Sequence, residues 1–362
     1  MDYPARQKQL WRELDRAGLD CLLITHLPNI RYLCGFTGSA GVLLLAAGSG
    51  VFFSDGRYQE QVRREVVGVR ATISRKPPLI AAGEWLTDRG RKSKLKVIGV
   101  EGEYLSAAAR VGLSRHLGRG FRVRLAQPLV EGMRLVKDAD EIERLRAASR
   151  TGAALFKVAL KAIRPGTQET EVAAEMEYAA RRAGGEGMSF PTIIASGPRS
   201  AMPHARASAA AIPARGFVVC DFGVILAGYC SDMTRTVHVG SPTTASRQMY
   251  AAVRQAQQAA IETVRPGVSV GEVDQVARKI LKQNKLNRYF THSTGHGVGL
   301  EIHEGPRLAA GQRQMLQPGM VVTVEPGVYR SGSGGVRIED MVVVTARGCE
   351  VLAPVDKELI TI

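Results

Sequence analysis

The 362-residue chain has no run of about 18 apolar residues, the minimum for a helix that crosses a bilayer. From Met1 to Asp20 it interleaves charges with Leu10, Trp11, Leu14 and Leu19, the spacing of an amphipathic helix and not of a signal peptide. Neither a membrane span nor a secretory leader is expected. A disulfide framework is also missing: Cys21, Cys34, Cys220, Cys230 and Cys349 are odd in number and show no CxxC spacing. That pattern suits a reducing cytoplasm and argues against a zinc-thiolate site. Dense charge of one sign is scarce. The formal net charge is +15, and residues 1–130 hold 21 Lys and Arg against 11 Asp and Glu, a net +10. These charges are interspersed singly, Arg91-Lys92-Ser93-Lys94-Leu95-Lys96 being the one dense run, so a solvated surface is expected rather than a nucleic-acid interface.

What is present is apolar content enough for two cores, 45% of the residues. In the first part, Cys21 to Thr25, Gly41 to Leu45, Val51 to Ser54 and Lys96 to Val100 are short apolar runs bounded by turn residues. Tyr58 to Val67 and Ser106 to Leu117 have helical spacing. A small mixed α/β domain over residues 1–130 follows. Near Gln127-Pro128 the pattern changes, and Asp138 with Glu141 offers a helix cap, so a second domain is expected over residues 131–362. That second part repeats itself. Arg164-Pro-Gly with Glu171-Val172 recurs as Arg265-Pro-Gly with Glu272-Val273, 101 residues on. Phe217-Val-Val-Cys-Asp221-Phe-Gly223 recurs as Val321-Val-Thr-Val-Glu325-Pro-Gly327, 104 residues on. A duplicated helix-helix-hairpin unit accounts for both, each half presenting carboxylates to a shared interface.

Asp221 and Asp232 lie on two runs separated by a stretch short enough for a hairpin. With its turn centred on Leu226-Ala227 the two aspartates face each other, where like charges about 4.5–5.5 Å apart destabilise. Glu325 and Glu339 similarly flank the glycine-rich Ser331 to Gly335. Arg337 offsets one negative charge, not four. Four carboxylates and one imidazole match two divalent ions. The imidazole candidate is His296, among glycines that let the backbone approach closely. The spacing of His292 and His296 imitates a helical zinc pair, but Gly295, Gly297 and Gly299 oppose a helix and the HExxH glutamate is missing.

Asp221, Asp232, His296, Glu325-Pro-Gly and Arg337-Ile-Glu339-Asp, in that order, resemble the metal motif of the pita-bread metallopeptidases, the family of aminopeptidase P, prolidase and methionine aminopeptidase. Tyr32 to Ser39 and Phe52 to Tyr58 look like the creatinase/prolidase amino-terminal domain, and Pro203-His204-Ala205 resembles the proline-specific branch. The resemblance implies an α/β (α+β) architecture, with a pita-bread catalytic domain after the small first domain. It implies that Asp221 chelates one metal, His296 and Glu325 the other, and that Asp232 and Glu339 bridge both. His292 and His303 would line the site, His303 and His204 would bind the substrate carbonyl, and Arg337 would orient a ligand carboxylate. Tyr329 either reaches the site or packs on its strand. A homodimer is implied as well.

The expected activity is hydrolysis of the bond before proline, with a metal-acidified water as nucleophile, a histidine at the oxyanion and Glu325 as proton shuttle. Mn²⁺ or Co²⁺ suits the oxygen-rich ligation, with Zn²⁺ and Fe²⁺ as alternatives. Phe36-Thr-Gly-Ser39 and Ser54-Asp-Gly-Arg57 look closer to aminopeptidase P, so peptides with proline second are the expected substrates, with an Xaa-Pro dipeptidase as the alternative. A catalytically silent binding protein of the same fold, its basic first domain contacting nucleic acid, is the reading from another class.

Overall fold

Asp2 accepts the Ala5 amide hydrogen at 2.9 Å to cap the helix Tyr3–Ala17, and Gly18 closes it at φ 63°. Leu10 and Leu14 point inward and are buried, as the amphipathic spacing requires. The structure, a computed structural model, describes residues 1–90, 95–117 and 120–362. Arg91 to Lys94, most of the dense basic run, therefore lie outside the described residues. Two units are distinguished, Met1–Arg134 and Leu135–Ile362. No described helix is long and apolar enough to cross a membrane.

In the first unit six strands form one sheet: β1 (Cys21–Ile24), β2 (Val42–Ala46), β3 (Ser49–Asp55), β4 (Arg70–Ser74), β5 (Val97–Glu101) and β6 (Arg122–Ala126). Their order is β4-β3-β2-β1-β5-β6, antiparallel across β1–β2 and β2–β3 and parallel elsewhere. The four apolar runs became the central strands. β4 and β6 were not foreseen, because both are edge strands whose side chains are mostly half-buried or exposed, so no apolar run marks them. The helices Gln59–Glu65 and Ala107–Leu117 fall within the segments of helical spacing.

The second unit is built twice. The helices Ala139–Ala162 and Glu169–Arg182 form one pair, and Thr244–Thr263 with Val270–Gln283 the other. Asp138 and Glu141 complete a capping box, and the helix after each Arg-Pro-Gly turn starts on another, Gln168 with Glu171 and Ser269 with Glu272. The turn glycines are left-handed in both copies, Gly166 at φ 89° and Gly267 at φ 79°. Even the isolated bridges repeat: Gln168 pairs with Ala211, and Ser269 with Met315.

The first copy carries β7 (Gly187–Met188), β8 (Ile193–Ser196), β9 (Gly216–Phe222), β10 (Val224–Leu226), β11 (Tyr229–Cys230) and β12 (Met233–Val239). The second carries β13 (Gly295–Gly297), β14 (Glu304–Leu308), β15 (Val321–Val324), β16 (Gly327–Arg330), β17 (Gly334–Arg337), β18 (Asp340–Val344) and β19 (Cys349–Val351). Each helix pair buries its apolar stripe on its own strands. Leu155, Phe156, Val172 and Met176 meet Val218, Phe222 and Val237, while Val253, Val273 and Leu281 meet Val322, Val324 and Val342. Strand faces turned away from these two cores are left to carry the polar residues.

Candidate metal centre

The β9–β12 ladder sets Asp221 opposite Thr234 and Phe222 opposite Met233, and the hairpin tip pairs Leu226 with Tyr229. The turn therefore falls on Ala227-Gly228, with φ of 49° and 82°, and not on Leu226-Ala227. Glycine is favoured in the second central position of such a turn, and this moves the register by one step. As a correction to the expected facing pair, Asp221 and Asp232 are not directly opposed; the ladder carried on sets Asp232 against Gly223. A Cβ on Gly223 would lie 1.8 Å from the Ser231 carbonyl oxygen, so a larger residue there would break this approach. In the second hairpin β15–β18 sets Val324 opposite Asp340 and β16–β17 sets Gly327 opposite Arg337. In the break between them the same register leaves Glu325 opposite Glu339. His296 lies in β13, where a Cβ on Gly295 or Gly297 would meet backbone oxygens at 2.0 Å and 1.9 Å. The glycines are there for close strand approach.

These elements direct Asp221, Asp232, His296, Glu325 and Glu339 into one cavity of about 600 Å³, which His204, His292, His303 and Arg337 also line. All nine side chains singled out in the sequence therefore converge. Phe190, Arg206, Glu304 and Arg307 line it too and had not been foreseen. Arg307 sits opposite His296 on β14, so the strand pairing, not any local motif, is what marks it. Tyr329 acts from behind: Arg337 Nη1 donates to its hydroxyl at 2.6 Å, and the hydroxyl lies 2.8 Å from His292 Nε2. Arg337 also donates to Asp221 Oδ2, to Thr234 Oγ1 at 3.2 Å and to the Pro203 carbonyl at 3.2 Å. Thr234 Oγ1 in turn donates to Glu339 at 2.7 Å.

Burial pushes Asp232 and Glu339 well above the usual carboxylate range, and the neighbouring acids add to it. Glu325 rises to about 8, again from burial first, with Arg337 opposing. His296 and His292 fall to about 4 through burial, so both are neutral near pH 7. Burial lowers His303 as well.

His296 Nδ1 gives its hydrogen to the Gly297 carbonyl at 3.0 Å, which leaves the Nε2 lone pair facing Asp232 Oδ2 at 3.6 Å and Glu325 Oε1 at 3.5 Å. With a neutral ring these approaches are not ion pairs; protons on the acids or a cation must stand between these acceptor atoms. Asp221 Oδ1 is buried without any hydrogen-bond partner. One ligand atom each from Asp232, His296 and Glu339 lies within 4.8 Å of the others. A divalent cation answers all three observations, and the donor set of carboxylates and one imidazole fits it.

Residues 143–346 match metallopeptidase family M24, and residues 6–136 match the creatinase/prolidase N-terminal domain. The chain belongs to metallopeptidase family M24. An Xaa-Pro dipeptidase of Pyrococcus horikoshii is 34% identical over 98% of this chain and 98% of its own length. Among solved structures, an Xaa-Pro dipeptidase from Bacillus anthracis superposes with a TM-score of 0.95 at 38% identity, covering 100% of both chains. An X-Pro aminopeptidase from Thermotoga maritima superposes at 0.88 with 34% identity, covering 97% of this chain and 100% of that one. The duplicated second unit is thus the M24 pita-bread domain, preceded by a mixed α/β domain. Membership in M24 makes the chain a metallopeptidase, a hydrolase that works with divalent metal ions, and the cavity is where its carboxylates and histidines gather.

Proposed function

We propose that the chain is an Xaa-Pro dipeptidase, holding two divalent ions with Asp221, Asp232, His296, Glu325 and Glu339. The curated relative of Pyrococcus horikoshii and the Bacillus anthracis structure favour the dipeptidase over the aminopeptidase preferred from the sequence. The observation that carries this reading is the pair Arg206 and Arg307 on the cavity wall. Neither guanidinium has a side-chain partner among the described residues, and Arg307 is exposed to the cavity. A dipeptide ends in a free carboxylate just beyond the proline ring, and an unpaired guanidinium is a forked donor for it.

Divalent ions bound here would polarise the scissile carbonyl and acidify a water molecule. The protein's own groups do the rest. His204 and His303, both at the cavity, are placed to donate to the carbonyl oxygen as charge develops, and a neutral His303 keeps one N–H for that purpose. Glu325 takes a proton and passes it to the proline nitrogen, which without it leaves poorly. The bond before proline has no N–H, so the ring's shape, for which Phe190 and Ile193 supply apolar wall, and the substrate termini must be what the site reads. Tyr329 holds His292 and Arg337 in place, so His292 acts as a positioning residue here. Mn²⁺ is the expected metal, and a cytoplasmic homodimer the expected assembly, checked by light scattering.

The test is hydrolysis by the Mn²⁺-reconstituted chain of Xaa-Pro and Xaa-Pro-Yaa peptides, with Arg307→Met beside the wild type. Loss of a hydrogen bond between charged groups, worth about 1.5–3 kcal/mol, should raise the dipeptide KM about 10- to 100-fold. The tripeptide KM should scarcely change. Faster turnover of tripeptides than dipeptides by the wild type would instead restore the aminopeptidase reading.

A further inference from the structure

Glu169 is the first residue of the helix Glu169–Arg182, yet it is fully buried. Its carboxylate is ringed by donors from one later stretch of chain. Oε1 accepts the Ser196 amide at 2.8 Å and the Ser196 hydroxyl at 2.9 Å, and Oε2 accepts the Ser208 amide at 3.2 Å and hydroxyl at 2.8 Å. Arg199 Nε lies 3.2 and 3.0 Å from the two oxygens, and its Nη2 donates to the Arg206 carbonyl at 2.7 Å. Hydrogen bonds to an ionised group are about twice as strong as neutral ones, and a carboxylate at a helix start also gains from the helix dipole. One buried charge thus holds both feet of the loop 196–208.

What the loop carries decides what the clamp is for. His204 and Arg206 line the metal cavity, and both are exposed. Among the described residues neither the His204 imidazole nor the Arg206 guanidinium has a hydrogen-bond partner, so backbone placement alone sets where they stand. The middle of the loop is fixed from the second copy. Ser200 Oγ accepts the Gly335 amide at 2.9 Å, and Arg337 Nη1 donates at 3.2 Å to the carbonyl of Pro203, the residue before His204. The loop is therefore held between the two copies, its feet by Glu169 and its middle by β17.

We propose that Glu169 is a positioning residue of the peptidase reaction, acting through the loop 196–208 to set His204 against the scissile carbonyl. This rests on the role given above to His204. Glu169→Gln keeps the shape but replaces one acceptor oxygen with an amide nitrogen that only donates, so one foot loses its hold and Arg199 its charge partner.

The test is a double-mutant cycle on the Mn²⁺-reconstituted full chain, with Glu169→Gln and His204→Ala alone and together, on whichever Xaa-Pro peptide the wild type hydrolyses. A histidine moved by about 1 Å should lower kcat about 10- to 100-fold in Glu169→Gln. His204→Ala, having lost one oxyanion donor, should keep a measurable kcat about 10²- to 10³-fold down. In that background Glu169→Gln should change kcat by less than about twofold, because nothing is left to position. An equal drop in both backgrounds, the result of a merely stabilising role, would overturn the proposal, as would a kcat untouched by Glu169→Gln. If Glu169→Gln does not fold, Ser208→Ala, which removes one hydroxyl from one foot, takes its place in the cycle with a smaller drop. Hydrogen exchange reads the clamp without any substrate: residues 197–207 should exchange faster in the clamp variant, and unchanged exchange would refute the clamp. Faster exchange together with a wild-type kcat in His204→Ala would instead refute the role of His204, and the proposal with it.

Discussion

His292 and His296 are four residues apart and both lowered to about 4 by burial, yet they serve different ends. In each the Nδ1 hydrogen is spent on a backbone carbonyl, Ser293 for one and Gly297 for the other. The remaining Nε2 meets a tyrosine hydroxyl in His292 and two carboxylates in His296, so only the second is poised to ligate a cation. Tyr329→Phe should leave His292 Nε2 without its partner and Arg337 Nη1 with the Pro203 carbonyl alone, and cost about 1–3 kcal/mol. Urea unfolding of the metal-loaded protein measures it, and a change within a few tenths would mean the hydroxyl is dispensable. Glu325→Gln should lower kcat by about 10²- to 10⁴-fold with KM nearly constant, the mark of a lost proton carrier. Metal content must be measured alongside, since a variant that had simply lost its ions would recover with added Mn²⁺.

Single elements hold these side chains at the right places. The helix Val270–Gln283 reaches back to the histidine loop through Asp274, which is fully buried and accepts the Thr294 amide at 3.2 Å and hydroxyl at 2.8 Å. Asp274 also pairs with Arg278, whose Nη2 donates to the His292 carbonyl at 2.6 Å. Asp274→Asn should destabilise by about 1.5–3 kcal/mol, the range for a hydrogen bond to a charged group, while leaving every metal-facing side chain in place. Chemical denaturation would report it; a stability equal to wild type would mean that the loop keeps its form without the helix. On β12 Arg235, 1% exposed, donates to the Glu339 carbonyl at 2.6 Å and pairs with Asp340 at 2.7 Å. The strand that presents Glu339 is thereby tied down by a buried ion pair rather than by its ladder alone.

Taken as a whole, the catalytic unit gathers more negative charge than protein groups can neutralise. Asp232, Glu325 and Glu339 all have raised folded-state values, so the metal-free fold binds more protons than the unfolded chain above the usual carboxylate range. Their contribution is full below about pH 4.5 and is lost as pH climbs through the folded value, about 8 for Glu325. Between about pH 7.5 and 8 the histidines are neutral both folded and unfolded and the thiols are not yet titrating, so the carboxylates set the slope there. The chelated protein's Tm should therefore fall as pH rises across that window, and Mn²⁺ should abolish the fall by taking the protons' place. A flat or rising Tm in chelator would contradict the crowding of acids.

Much of this was legible beforehand because its signals are local. The Arg-Pro-Gly turns, the Asp138 cap, the central apolar strands and the five acidic and imidazole positions each declare themselves within a few residues. The edge strands β4 and β6 did not, since an exposed strand needs no apolar run. Nor did the hairpin register of Asp221 and Asp232, which depends on which residue takes a left-handed conformation. Arg206 and Arg307 gave no signal either, being lone arginines among 49 basic residues until folding brings them to the cavity.

The residue order by itself determined the duplicated helix-pair architecture and the inventory of metal-seeking groups, because periodicity, capping and charge are properties of short stretches. Tertiary structure decided which of those groups share a cavity, which histidine nitrogen is free, and which guanidiniums wait without partners. Those depend on register and burial, which couple residues more than a hundred positions apart through backbone pairing and the exclusion of water.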